Sequence, residues 1–318
     1  MTQWTANDIP DLQGRVALVT GANSGLGLAT TQALAAKGAR VIMAVRNPSK
    51  GQAALAQITA QVPGAALELM PLDLASFASV QAFAAQVRAQ YTRLDFLFNN
   101  AGVMAIPRQL TSDGFESQYE TNFLSHFALT GLVLPLLLAT PQSRVVTTTS
   151  IARMIARGRI NFADRNGEQS YNRWMAYGQS KLEDLLFAGE LQRRLSQAGA
   201  TTISVAAHPG YARTGLQSTS TQASGSLVER IGNAAMTPLT QTAQMGAWPQ
   251  LFAAISPTIH GGELVGPGGF MHLRGHPQVE PNHEGKLPTA QARRLWDLAV
   301  DITGVDFSAL ATKTLPQL

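Results

Sequence analysis

The chain has no cysteine among its 318 residues. That absence rules out disulfides, thiolate metal sites and a cysteine nucleophile, and it suits a reducing cytoplasm. Charge is also sparse: 14% of residues are charged, the net charge is +4, and no long basic run occurs. A nucleic-acid surface is therefore not expected. The six histidines show no clustered spacing and give no reason to propose a metal. No basic region followed by an apolar stretch opens the chain, so no secretory signal is expected. The longest apolar run, Phe127 to Ala139, contains Gly131 and Pro135, is too short to cross a bilayer, and predicts a buried helix. What the chain does have is 45% hydrophobic residues. A soluble, well-packed cytoplasmic globule without an integral membrane segment is expected.

Apolar β-rich runs alternate with amphipathic stretches through the first two hundred residues. Strands are predicted at 15–20, 40–45, 67–72, 94–98, 144–149 and 202–207. Helices are predicted at 25–37, 48–61, 76–90 and 171–195, with two more near 238–255 and 289–302. This alternation implies an α/β fold, a doubly wound parallel sheet of Rossmann-like form. Ligands of such sheets bind beyond the carboxyl ends of the strands. Gly21, Asp73, Asn100, Ser150 and Pro209 all fall at those ends. The Gly/Pro-rich stretch 261–277 and the Ser/Thr/Gln/Gly-rich segment 215–225 read as loops. A single domain over 1–318 is expected, with a cofactor part at about 12–200 and a helical substrate lid and C-terminal elaboration at about 211–318.

Gly21, Gly25 and Gly27, with Asn23, Ser24 and Leu26 between them, form a turn from strand to helix. Missing side chains let the chain turn tightly and let a pyrophosphate approach a helix N-terminus. An acidic residue ending the second strand would hold a ribose 2′-hydroxyl. Here the strand ends Ala44-Val45-Arg46-Asn47, and the cationic Arg46 favours a 2′-phosphate, hence NADP(H) over NAD(H). Asp73 is placed to bind adenine.

Tyr177 and Lys181, four residues apart, share a helix face. A phenol titrates near ~10, too high for acid–base work at neutral pH. An ammonium about 4 Å from it, at an effective dielectric of about 20, contributes roughly 4 kcal/mol toward the phenolate. His208 lacks a carboxylate partner in the surrounding sequence and is not assigned a catalytic part. No Gly-x-Ser-x-Gly surrounds Ser150, which argues against a serine hydrolase.

Together, the glycine turn, Asp73-Leu74, Asn99-Asn100-Ala101-Gly102, Asn122, Ser150, Tyr177-x-x-x-Lys181 and Pro209-Gly210 resemble the short-chain dehydrogenase/reductase superfamily. The segments 172–182, 208–214 and 295–304 are similar to its retinol-dehydrogenase-like branch. The resemblance implies that Tyr177 is the acid in carbonyl reduction and the base in alcohol oxidation. It implies that Lys181 tunes Tyr177 and holds the nicotinamide ribose, that Ser150 binds the substrate oxygen, and that Asn122 helps seat a relay water. Leu74, Asn100, Ala101, Gly102, Pro209, Gly210 and Thr214 would complete the cofactor site, and a homodimer or homotetramer is the expected assembly. Thr149 stands where the family often has a first serine, and Ser150 aligns with the second.

Substrate walls are expected from Met104, Ile106, Met154, Ile155, Phe162, Trp174, Met175, Leu216, Leu227 and Ile231. Such walls suit an apolar carbonyl or alcohol better than a sugar. Two other readings stay open: a non-catalytic NADP(H)-sensing or protein-binding module on the same fold, and a specialised pigment reductase. The related pigment enzymes lean on a cysteine that is absent here.

Overall fold

Val-Ala-Leu-Val-Thr, the first strand β1 (Val16–Thr20), is buried along its whole length. In an extended chain alternate side chains face opposite ways. Leu18 accordingly joins one hydrophobic cluster and Ala17 and Val19 the other. The same alternation runs through β2 (Arg40–Val45), β4 (Phe96–Asn99) and β5 (Arg144–Thr148), so the sheet is covered on both faces. The computed structural model describes residues 3–212, 240–281 and 289–313.

With β3 (Leu67–Pro71), β6 (Ile203–Ala207), β7 (Leu264–Pro267) and β8 (Pro277–Val279), the sheet has eight strands in the order β3-β2-β1-β4-β5-β6-β7-β8. All pairings are parallel except β7 with β8. One cluster lies beneath α3 (Phe77–Gln90), α4 (Ser117–Ala139), α5 (Arg173–Gln197) and α7 (Thr289–Thr303). The other lies beneath α1 (Gly25–Ala35), α2 (Pro48–Gln61) and α6 (Ala243–Ile255). Chain order reverses between β1 and β4, so the crevice above those two ends is the natural ligand position.

Helix α4 is longer than the apolar run suggested. It spans 23 residues and is apolar enough by composition to cross a membrane, yet 72% of its most apolar window is buried inside the fold. Its first turns include a π-helical stretch, Glu120–Leu124, centred on Asn122. The C-terminal segment closes over it. Phe127, Trp296 and Phe307 pack edge-on or tilted at 4.5–5.0 Å between ring centroids, and Gly131 leaves the space that Val305 fills.

β7 falls in the stretch predicted as loop and β8 begins at its last residue. They have four and three residues, and Pro267 pairs with Pro277 at the sheet edge, where a missing N–H is tolerated. α5 begins at Arg173 rather than Tyr171 because the Asn172 side chain accepts from the N–H groups of Trp174 and Met175. Thr214, Leu216, Leu227 and Ile231 of the predicted lid lie outside the described residues.

Candidate active site

Above the reversal of strand order runs a groove of about 650 Å³. Gly21 turns the chain there at φ +67°, and Ala101 lies 3.1 Å from where its Cβ would stand. A Cβ on Gly27 would collide with the Gly21 carbonyl. Only glycine fits this strand-to-helix turn. Ser24 precedes α1 without a side-chain capping bond, so no side chain competes with an anion for the first-turn N–H groups. Twelve of the residues predicted to bind cofactor line the groove: Gly21, Asn23, Ser24, Gly25, Leu26, Gly27, Arg46, Asp73, Leu74, Asn100, Ala101 and Gly102. The volume, the glycine turn and the basic far end fit a dinucleotide.

The floor is held by a buried network. His126 Nδ1 lies 2.8 Å from the Asn122 carbonyl, which can only accept, so Nδ1 carries the proton. Nε2 is then an acceptor for the Thr20 hydroxyl at 2.9 Å. The same hydroxyl oxygen accepts the backbone N–H groups of Asn100 and Ala101, each at 2.9 Å. Asn100 also donates from Nδ2 to the Thr20 carbonyl at 2.8 Å. Its side chain thus ties β1 to β4. Burial holds the His126 imidazole down at about 4, so it stays neutral.

At the chemical end, the 3-10 turn Ile151–Ala156 packs directly on Gly178, whose Cβ would lie 2.7 Å from the Ala152 carbonyl. That contact sets Ser150, the N-cap of the turn, beside the Tyr177 stretch of α5. The Ser150 hydroxyl is partly exposed and accepts from Ala152 N–H at 3.2 Å. Thr149 is buried and donates its hydroxyl to the Lys181 carbonyl at 2.5 Å, so it anchors the helix. Of the two adjacent hydroxyls, Ser150 is the accessible one.

Tyr177 is buried except for a small rim, with the Trp174 ring edge-on at 6.4 Å. Among the described residues its hydroxyl makes no hydrogen bond. Lys181 lies one turn further along the same face, but its ammonium donates to the Thr148 carbonyl at 2.9 Å and to Asp184 at 2.7 Å. The spacing argument paired that ammonium with the phenol alone. A carboxylate three residues on and an open strand-end carbonyl are partners it did not include. Burial pushes the Asp184 carboxyl up to about 6, opposed by the Lys181 charge.

The Asn122 side chain accepts from Val103 N–H at 2.8 Å and donates to the Val103 carbonyl at 3.0 Å and to Ser180 at 2.9 Å. It therefore fixes the 100–103 turn against α5. A Cβ on Gly102 would stand 3.0 Å from Asn122 Oδ1 and 3.7 Å from Lys181 Nζ, which joins the groove to the chemical end.

The family model described as short chain dehydrogenase matches residues 15–225. The chain belongs to the short-chain dehydrogenase family. It is 38% identical to retinol dehydrogenase 14 of Mus musculus over 309 residues, covering 92% of this chain and 87% of that one. It is 38% identical to polyprenol dehydrogenase of Mus musculus over 300 residues, covering 93% and 86%. Among solved structures, an uncharacterised protein from Mycobacterium paratuberculosis superposes with a TM-score of 0.76 at 40% identity, covering 96% of this chain and 99% of that one.

In this short-chain dehydrogenase the apolar walls divide. Met154, Ile155, Trp174 and Met175 are exposed. Phe162 instead packs against the main core beneath the Arg294 guanidinium, 4.1 Å from its ring centroid. The Pro209–Gly210 turn is clamped by Gln241, which donates to the Pro209 carbonyl at 2.6 Å, and by Leu273, whose carbonyl accepts Tyr211 N–H at 2.7 Å. Thr214 lies outside the described residues. Sequence reasoning missed Lys50, which lines the groove in the first turn of α2, close in sequence to Arg46. A second cation soon after a strand-end arginine was the available signal. It also missed the carboxylate partner of His208, which is Glu280.

Proposed function

We propose that this short-chain dehydrogenase is an NADP(H)-dependent oxidoreductase that reduces an apolar ketone or aldehyde to the alcohol, reversibly. The observation that carries this reading is the Tyr177 hydroxyl. It has no hydrogen-bond partner among the described residues and lies one helical turn before Lys181, on the helix that packs against the turn capped by Ser150. A bound nicotinamide supplies or takes up the hydride. The protein's part is to manage the oxygen: Ser150 donates to it, and Tyr177 gives it a proton in reduction and removes one in oxidation. Lys181, buried beside Gly102, brings positive charge to that end of the groove, and Asn122 keeps the 100–103 turn in place. Arg46 and Lys50 at the far end support NADP(H), because two cations favour a 2′-phosphate. The relatives are named for retinol and polyprenol, both long apolar alcohols, and the exposed Met154, Ile155, Trp174 and Met175 suit the same class.

The test is a panel of apolar and polar aldehydes and ketones followed by loss of reduced-cofactor absorbance, with NADPH and NADH in parallel. Turnover is expected with apolar carbonyls and to be faster with NADPH. No consumption with any carbonyl, or a preference for sugars, would overturn the reading.

A further inference from the structure

His208 is fully buried at the end of β6, and both its ring nitrogens are engaged. Nδ1 accepts Gly210 N–H at 3.2 Å, so the neutral ring carries its proton on Nε2 and donates it to Glu280 Oε1. The second oxygen, Glu280 Oε2, accepts from Arg153 Nη2 at 3.1 Å. Arg153 Nη1 then reaches the Ser150 carbonyl, also at 3.1 Å, and the Arg153 backbone N–H bonds the same carbonyl at 3.0 Å. Every donor meets an acceptor along this line. It begins at the carbonyl of the residue facing the substrate and ends at the N–H of Gly210. Gly210 itself sits at φ +62°, and a Cβ there would collide with the Leu273 carbonyl.

We propose that Arg153, Glu280 and His208 form a positioning relay that fixes Ser150 and the Pro209–Gly210 turn relative to each other. The relay rests on the functional reading above, in which Ser150 orients the substrate oxygen and the Pro209–Gly210 turn backs the cofactor. None of the three touches a reacting atom. Their members follow the ends of three strands, β5, β6 and β8; sheet pairing ties β5 to β6 as far as Thr148 and Ala207, and the relay extends that tie past the last pair. Hydride transfer is steeply sensitive to the separation of its two carbons, so a tether across the two sides acts on the chemical step. The arginine fork suits this use because it holds one partner on each arm in a fixed plane. Charged and titratable groups facing His208 are Glu280, Arg153 and, at the margin, His272, whose Nδ1 is 4.0 Å from Glu280.

The test uses Glu280→Gln, which keeps the shape and the acceptor for His208 but loses the charge, and Arg153→Lys, which keeps the charge but loses the fork. Amide hydrogen exchange on the protein without substrate is expected to speed up in both residues 150–156 and residues 208–211 in each variant. Turnover at saturating NADPH is expected to fall ~10–100-fold, with NADPH affinity unchanged and a larger primary isotope effect from deuterated cofactor. Faster exchange in only one segment or in neither, or wild-type turnover, would overturn the relay. So would a loss of turnover matched by an equal loss of NADPH affinity, since that marks a merely structural role. The exchange readout needs no turnover and therefore stands apart from the carbonyl-reductase reading. A wild-type enzyme active on the panel beside two fully active variants retires the relay alone.

Discussion

His126 titrates in the wrong place for a free imidazole because it is sealed beneath the cofactor turn. An unperturbed histidine has a pKa near ~6.5, whereas burial holds His126 at about 4. Between those values the unfolded chain binds a proton that the folded chain refuses. Its contribution to stability is therefore full above the unfolded value and is lost as pH falls toward about 4. Replacing His126 with Asn removes the titration, at the cost of the Thr20 hydrogen bond. The gap in melting temperature between wild type and variant is expected to narrow as pH drops through that window; a constant gap would refute the assignment. Arg46 offers a second residue-scale test. Arg46→Ala is expected to weaken NADPH about tenfold relative to NADH, the size of one charge-assisted contact at an exposed site, as read by fluorescence titration of both cofactors. Equal weakening of both would contradict its assignment to the 2′-phosphate. The places of the glycines, Tyr177, Lys181 and Ser150 were legible in the sequence because each sits at a turn, on a helix face or at a strand end, but the partners of the Lys181 ammonium were not. The Glu280 partner of His208 was not, because only the antiparallel return of β8 brings it near.

Among elements, the segment between the 3-10 turn and α5 shows where reading by composition falls short. Its apolar residues suggested a substrate wall, yet much of it is fastened inward. Arg165 pairs with the fully buried Glu183 at 2.5 Å and stacks on Tyr119 at 4.4 Å. The Tyr171 hydroxyl, 3.0 Å from both the Ile106 carbonyl and Glu116, accepts from Gln118 at 2.9 Å. Burial pushes the Glu183 carboxyl up to about 8 against the opposing pull of Arg165. At neutral pH that carboxyl is largely protonated, so Arg165→Met would leave a buried acid without its hydrogen-bond partner and is expected to destabilise the fold by about 1–3 kcal/mol. Adding Glu183→Gln should recover part of that loss. Urea unfolding of the two single variants and the double variant measures the coupling, and additive effects would show that the pair does not hold the segment. The six central strands were readable because their apolar runs outlast any turn signal. β7 and β8 were hidden, being short, proline-bearing and defined only by the neighbours they pair with.

Across the whole molecule, one edge of the sheet gathers every proposed site residue that the structure describes. Strand ends supply Gly21, Arg46, Asp73, Asn100, Ser150 and Pro209, and α4 and α5 bring Asn122, Tyr177 and Lys181 to meet them. That gathering follows from parallel topology, in which all carboxyl ends point one way. It could be foreseen from the alternation of strands and helices without any side-chain coordinate. Hydrogen-bond partners could not be foreseen, and they decide which of the gathered groups is available for chemistry. Thr149, Asn100 and Asn122 are committed to structure, while the Tyr177 hydroxyl stands without a partner among the described residues. The most direct measurement is single-turnover reduction of an apolar aldehyde by Tyr177→Phe, with NADPH binding titrated on the same preparation. Loss of one oxygen is expected to slow turnover ~10²–10⁴-fold while NADPH affinity is kept. Near-native turnover by Tyr177→Phe would contradict the account.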